Sequence, residues 1–89
     1  MKLKYECGDV VICTKFDVNG VLIFDKTGIY VEPKITDRYF NRKAIVVEVD
    51  ATRDMYAIEF LDNKEYLAWV YGEDLIFFKK EYMAKYINC

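Results

Sequence analysis

Eighty-nine residues carrying a formal net charge of −2, 54% of them hydrophobic and 17% aromatic, describe a packed chain rather than a disordered one. A chain this short buries only roughly 60–65% of the surface its unfolded form exposes, so it has room for one core and is read as one domain, 1–89. The absence of His and Ser excludes serine–histidine and cysteine–histidine catalysis and any zinc site built on imidazole.

The opening MKLKYECGDV lacks the long apolar core of a signal peptide, and Cys7, Cys13 and Cys89 form no CxxC pair; both point to a reducing cytoplasm. Cys13, inside an apolar run, is expected in the core, and terminal Cys89 as an exposed thiol. After Gly8, DVVICTKFDV leads through Asn19-Gly20 into VLIFD, the pattern of a hairpin with a type I′ turn. Asp25-Lys26-Thr27-Gly28 is a second turn, IYVEP a short strand ended by Pro33, and residues 34–43 a loop.

AIVVEVD alternates, with Ile45, Val47 and Val49 expected toward the core and Val46, Glu48 and Asp50 away from it. Residues 51–54 reverse the chain into MYAIEFL, where Tyr56, Ile58 and Phe60 form the buried face. After a turn at Asp62-Asn63-Lys64-Glu65, YLAWVY sets Tyr66, Ala68 and Val70 against Leu67, Trp69 and Tyr71. Gly72-Glu73-Asp74 interrupts the strand before LIFF. The period then changes: Tyr82, Met83, Tyr86 and Ile87 share one stripe, which predicts a short amphipathic helix over 79–88. No apolar run reaches the roughly 20 residues of a membrane span.

The segment KAIVVEVDATRDMYAIEFLDNKEYLAWVYGEDLIFF resembles the second half of small SH3-like barrels, and GDVVI resembles the strand that opens them. The resemblance implies a mainly β fold: an SH3-like small antiparallel barrel, here with an enlarged first connection over 16–43 and a short C-terminal helix. It implies no single activity, since such folds host many. The glycine of the RNA-contacting KOW-type members is replaced by Lys43 and Ala44, and the Ala-Leu-Tyr-Asp-Tyr-like segment of polyproline-binding SH3 domains is missing.

Two surfaces stand out. Trp69 and Tyr71 beside Glu59, Glu73 and Asp74 would make an aromatic patch with an acidic rim, suited to a basic segment of a protein partner through cation–π and ionic contacts; the competing structural role has Trp69 sealing the core under the C-terminal helix. Arg38, Tyr39, Phe40, Arg42 and Lys43 offer the alternative of a basic and aromatic loop for nucleic acid, against an estimated pI near 5.1 and an acidic second half. Self-assembly through strand edges or the Tyr82/Met83/Tyr86/Ile87 stripe is a third option.

The pairs Glu73-Asp74 and Glu48/Asp50 lack a third group or apolar pocket to tune them, so no enzyme, no metal and no cofactor is expected. Asp17-Val18-Asn19-Gly20 lacks the later acidic ligands of an EF-hand. A composition rich in Lys, Ile, Tyr, Phe and Asp suits an AT-rich bacterial or phage genome.

Overall fold

The computed structural model describes residues 4–14, 21–32 and 41–80. They build one antiparallel sheet of seven strands: β1 (Asp9–Cys13), β2 (Leu22–Asp25), β3 (Tyr30–Val31), β4 (Arg42–Asp50), β5 (Met55–Phe60), β6 (Asn63–Tyr71) and β7 (Leu75–Lys80). The spatial order is β3-β2-β6-β5-β4-β1-β7. The sheet does not close on itself, so among the described residues β3 and β7 are its edges. One 3₁₀ turn, Gly72–Asp74, is the only helical element among those residues.

The centre of the sheet is the meander β4-β5-β6, and its turns follow from local chemistry. At 51–54 the Asp50 carboxylate accepts from the Thr52 N–H (3.1 Å) and hydroxyl (2.7 Å), while Asp54 takes a positive φ of 51° that Asp tolerates better than most residues. Between β5 and β6 only Leu61 and Asp62 turn the chain, and Asn63 already lies in β6. The strand therefore starts three residues before the predicted YLAWVY.

One face of the sheet holds the core: Val11, Cys13, Ile23, Ala44, Val46, Tyr56, Ile58, Phe60, Ala68, Val70 and Leu75, with Tyr5 and Val21 from outside the strands. Tyr56, Ile58 and Phe60 all join the core cluster, as expected for β5, although Met55 and Ala57 on the opposite face are buried as well. Cys13 is fully buried in the core, as expected. Tyr5 closes one end, its hydroxyl donating to the Leu75 carbonyl at 2.7 Å and its ring edge-on to Tyr56 at 5.2 Å.

Three expectations are corrected. First, β1 and β2 do not pair across Asn19-Gly20, because β6 and β3 occupy both edges of β2 at Ile23 and Phe24. Residues 15–20, the tight turn among them, lie outside the described residues. The hairpin is instead β2-β3 across Asp25-Lys26-Thr27-Gly28, where Asp25 Oδ1 accepts from the Thr27 N–H, the Thr27 hydroxyl and the Ile29 N–H.

Second, β4 buries Ala44 and Val46 in the core and turns Ile45 to the opposite face. The register shifts between Val46 and Glu48; the extra residue at Val47 is a β-bulge, after which Val49 returns to the core side. Third, Lys79 and Lys80 continue β7, paired with Val10 and Asp9, rather than opening a helix. The rest of the predicted helix, with the Tyr82 stripe and Cys89, lies outside the described residues.

The end of β7 is tied to the N-terminal segment. The Lys80 ammonium sits 2.8 Å from Glu6 Oε2 and 3.4 Å from Oδ1 of buried Asp9, whose Oδ2 accepts from the Glu6 N–H at 2.9 Å. That pairing compensates a carboxylate otherwise costly to desolvate.

Candidate partner-binding face

Opposite the core, the register assembles the second face of the sheet, on which Ile45 and Met55 are themselves buried and Tyr71 and Leu22 are exposed. In β6, Ala68 and Val70 face the core, so Leu67, Trp69 and Tyr71 face away. Pairing across four strands then gives the row Leu22, Trp69, Ala57, Glu48, beside the row Tyr71, Met55, Asp50. Glu59 follows Ala57 on the same side of β5 and pairs with Ile45. Trp69, Tyr71 and Glu59 therefore share one face, formed by strands at the middle of the sheet.

Exposure grades across it. Ala57 is fully buried between its neighbours, Trp69 and Glu59 are half-buried, and Tyr71 is 45% exposed. Trp69 is not part of the core cluster, and the C-terminal segment expected to cover it lies outside the described residues. Glu73 and Asp74 sit in the 3₁₀ turn that follows Tyr71, Glu73 exposed and Asp74 partly buried. The turn is held from both sides: the Gly72 N–H donates to the Asp54 carbonyl (2.9 Å) and the Thr14 N–H to the Asp74 carbonyl (2.7 Å).

Sequence reasoning missed that β2 and β3 extend this face. Leu22 pairs with Trp69 and is 44% exposed; Phe24 pairs with Leu67, and its ring meets Tyr30 edge-on at 5.9 Å. Leu22 and Phe24 alternate with Val21 and Ile23, so a two-faced strand was legible. Its place beside β6 was hidden by the Asn19-Gly20 signal.

The alternative basic loop is only partly described: Arg38, Tyr39 and Phe40 lie outside the described residues. Arg42 and Lys43, expected in that loop, instead open β4, where they pair with Cys13 and Ile12 of β1, and their side chains are engaged within the fold. The Arg42 guanidinium lies 3.8 Å over the Phe60 ring and 2.8 Å from Asp62 Oδ1, a hydrogen bond that holds the Asp62 carboxyl below its usual range. The Lys43 ammonium lies 4.4 Å over the Phe78 ring.

Two buried phenols mark the end of the sheet near the 3₁₀ turn. The Tyr56 hydroxyl donates to Asp54 Oδ1 at 2.8 Å and accepts from the Lys4 N–H at 2.9 Å. Burial, reinforced by that carboxylate, raises the Tyr56 pKa, and burial with the charge of Asp54 raises that of Tyr5. Such groups stay neutral and structural at ordinary pH.

Among the described residues no three Cys, Asp or Glu side chains cluster to hold a metal ion, and no helix is long and apolar enough to cross a membrane. Comparison of the chain with protein-family models, curated proteins and solved structures returns no match.

Proposed function

We propose that this chain is an SH3-like small barrel with an enlarged first connection and a short C-terminal helix, serving as a non-enzymatic protein-interaction module. It is an accessory or regulatory protein of a bacterium or phage, acting in the cytoplasm without a cofactor. Its partner presents a basic segment. Trp69 and Tyr71 receive the cations on their ring faces, and Glu59, Glu73 and Asp74 supply counter-charge.

One observation carries this: the register brings Trp69, Tyr71 and Glu59 to the one face of the sheet opposite the core, extended by Leu22 and Phe24. Tyr71 and Leu22 are exposed on that face, and exposed apolar surface of this kind usually marks an interaction site. The nucleic-acid alternative is weaker, because Arg42 and Lys43 are already bound to Asp62, Phe60 and Phe78.

Trp69 is the only tryptophan, so its emission reports directly on this face. Titration with Arg- and Lys-containing peptides is expected to shift that emission. Tyr71→Ala and Glu59→Gln should each weaken binding by about tenfold, as loss of a contact worth about 1.4 kcal/mol does, without moving the urea midpoint. Peptides that leave Trp69 emission unchanged, together with no stoichiometric complex with a basic protein in a nuclease-treated lysate, would remove the proposal.

A further inference from the structure

On the face opposite the core, burial is concentrated at one end of β1 and β4. Val10 and Ile45 pair with each other, and each neighbours a residue of the core cluster, Val11 and Ala44, so both point away from the core. They lie outside that cluster, yet each is only 2% exposed. Two residues along the same strands, Ile12 is half-buried and Lys43 exposed. A side chain on an uncovered sheet face stays partly in water, so a further segment lies over this pair.

The described residues do not supply that cover. Their elements are the strands of one sheet and a 3₁₀ turn, and the N-terminal segment is committed to the core side through Tyr5 and Cys7. Of the remaining chain, residues 15–20 and 33–40 meet β1 and β4 at their other ends, where Cys13 pairs with Arg42. Residues 1–3 precede Lys4, whose N–H is held by the Tyr56 hydroxyl. Residues 81–89 alone leave the sheet beside Val10, which pairs with Lys79. Their stripe of Tyr82, Met83, Tyr86 and Ile87 is the apolar surface that such a pair of side chains takes.

The far end of the segment is marked by its cysteine. Cys7 is disulfide-bonded, Cys13 is not, and Cys89 is the third cysteine of the chain. Lys80 is held 2.8 Å from Glu6, the neighbour of Cys7, so the segment would start and finish beside β1. Extended, residues 81–89 reach about 30 Å, enough to cross β1 and β4, which lie roughly 5 Å apart, and return. We infer that residues 81–89 fold back over Val10 and Ile45 through the Tyr82/Met83/Tyr86/Ile87 stripe and are fastened there by a Cys7–Cys89 disulfide. Forming the bond releases two protons and two electrons, which a small-molecule disulfide such as oxidised glutathione takes up as it becomes two thiols. The inference concerns other residues than Trp69 and Tyr71, so either assignment can stand without the other.

The full chain, equilibrated with reduced and oxidised glutathione, tests this. Peptide mapping without reduction should recover Cys7 joined to Cys89, and NMR of the oxidised chain should show contacts from the Tyr82 or Tyr86 ring to the methyls of Val10 and Ile45. Tyr86→Asp alters no described residue and should lower the effective concentration of the two thiols, read against glutathione, at least about tenfold. Cys7 joined to glutathione or to a second chain overturns the proposal. So does an oxidised chain without the ring-to-methyl contacts, or a Tyr86→Asp chain that closes the bond as readily as the unmodified one. Should Tyr86→Asp fail to fold, the mapping and the contacts in the unmodified chain decide.

Discussion

Tyr56 is both a core side chain and a polar bridge: its ring is fully buried, while its hydroxyl joins Asp54 to the Lys4 N–H. Tyr56→Phe keeps the volume and leaves both partners short of a hydrogen bond, so we expect a loss of about 1–3 kcal/mol in urea unfolding. Two glycines separate space from conformation. A Cβ at Gly72 would stand 2.9 Å and 3.0 Å from the Asp54 carboxylate oxygens and 3.1 Å from the Tyr56 ring. At Gly28 it would meet nothing within 4 Å, yet φ is +85°. Gly28→Ala should therefore cost about 1–2 kcal/mol through backbone strain. Gly72→Ala should cost about 1–3 kcal/mol through crowding, and there Asp54→Ala should relieve part of the loss, whereas no side-chain change rescues Gly28→Ala.

The strands show where alternation carries information and where it stops. Period alone places Tyr56, Ile58 and Phe60 in the core and sets Trp69 and Tyr71 on the face opposite Ala68 and Val70, as the core cluster has them. In β4, alternation counted back from Val49 puts Ile45 and Val46 on the wrong faces, because a bulge adds one residue between Val46 and Glu48 and no composition cue marks it in IVVEV. A paired test follows. Val46→Thr buries a hydroxyl at a fully buried position and should cost about 1–3 kcal/mol; Val47→Thr, half-buried at the bulge, should cost far less. Equal losses in urea unfolding would restore the unbulged strand. Pairing order was less legible still: a local turn signal says how two segments could meet, whereas β2 lies beside β6 through contacts more than 40 residues apart in sequence. The candidate face was half legible for the same reason, its β6 and β5 residues found and its β2 residues missed.

Charge regulation spans the whole sheet. Hydrogen bonds from Lys80, Thr27, Thr52 and Arg42 hold Glu6, Asp25, Asp50 and Asp62 respectively below the usual carboxyl range. A depressed folded value means stabilisation present above the unfolded pKa of about 4 and lost as pH falls through the lower folded value. Tyr5, Tyr56 and Lys80 are raised, so their contribution is complete below an unfolded pKa of about 10 and is lost as pH rises through the folded values. The urea midpoint should be flat between these limits and fall on both sides. Thr52→Ala should soften the acid limb and Tyr5→Phe the alkaline one; unchanged limbs would assign the pH dependence to other groups.

The position of β1 between β4 and β7 also governs how the protein is made. At about 5–20 residues per second, the ribosome finishes β1 roughly 3–13 seconds before it adds Lys80 of β7. Throughout that interval the edge of β1 that β7 will occupy, carrying Val10, Val11 and Ile12, waits without its second neighbour, and the Lys80 bridge to Glu6 and Asp9 is missing. A ribosome stalled anywhere in β5 or β6 would prolong the exposure of that bare strand edge, a template for pairing with other chains.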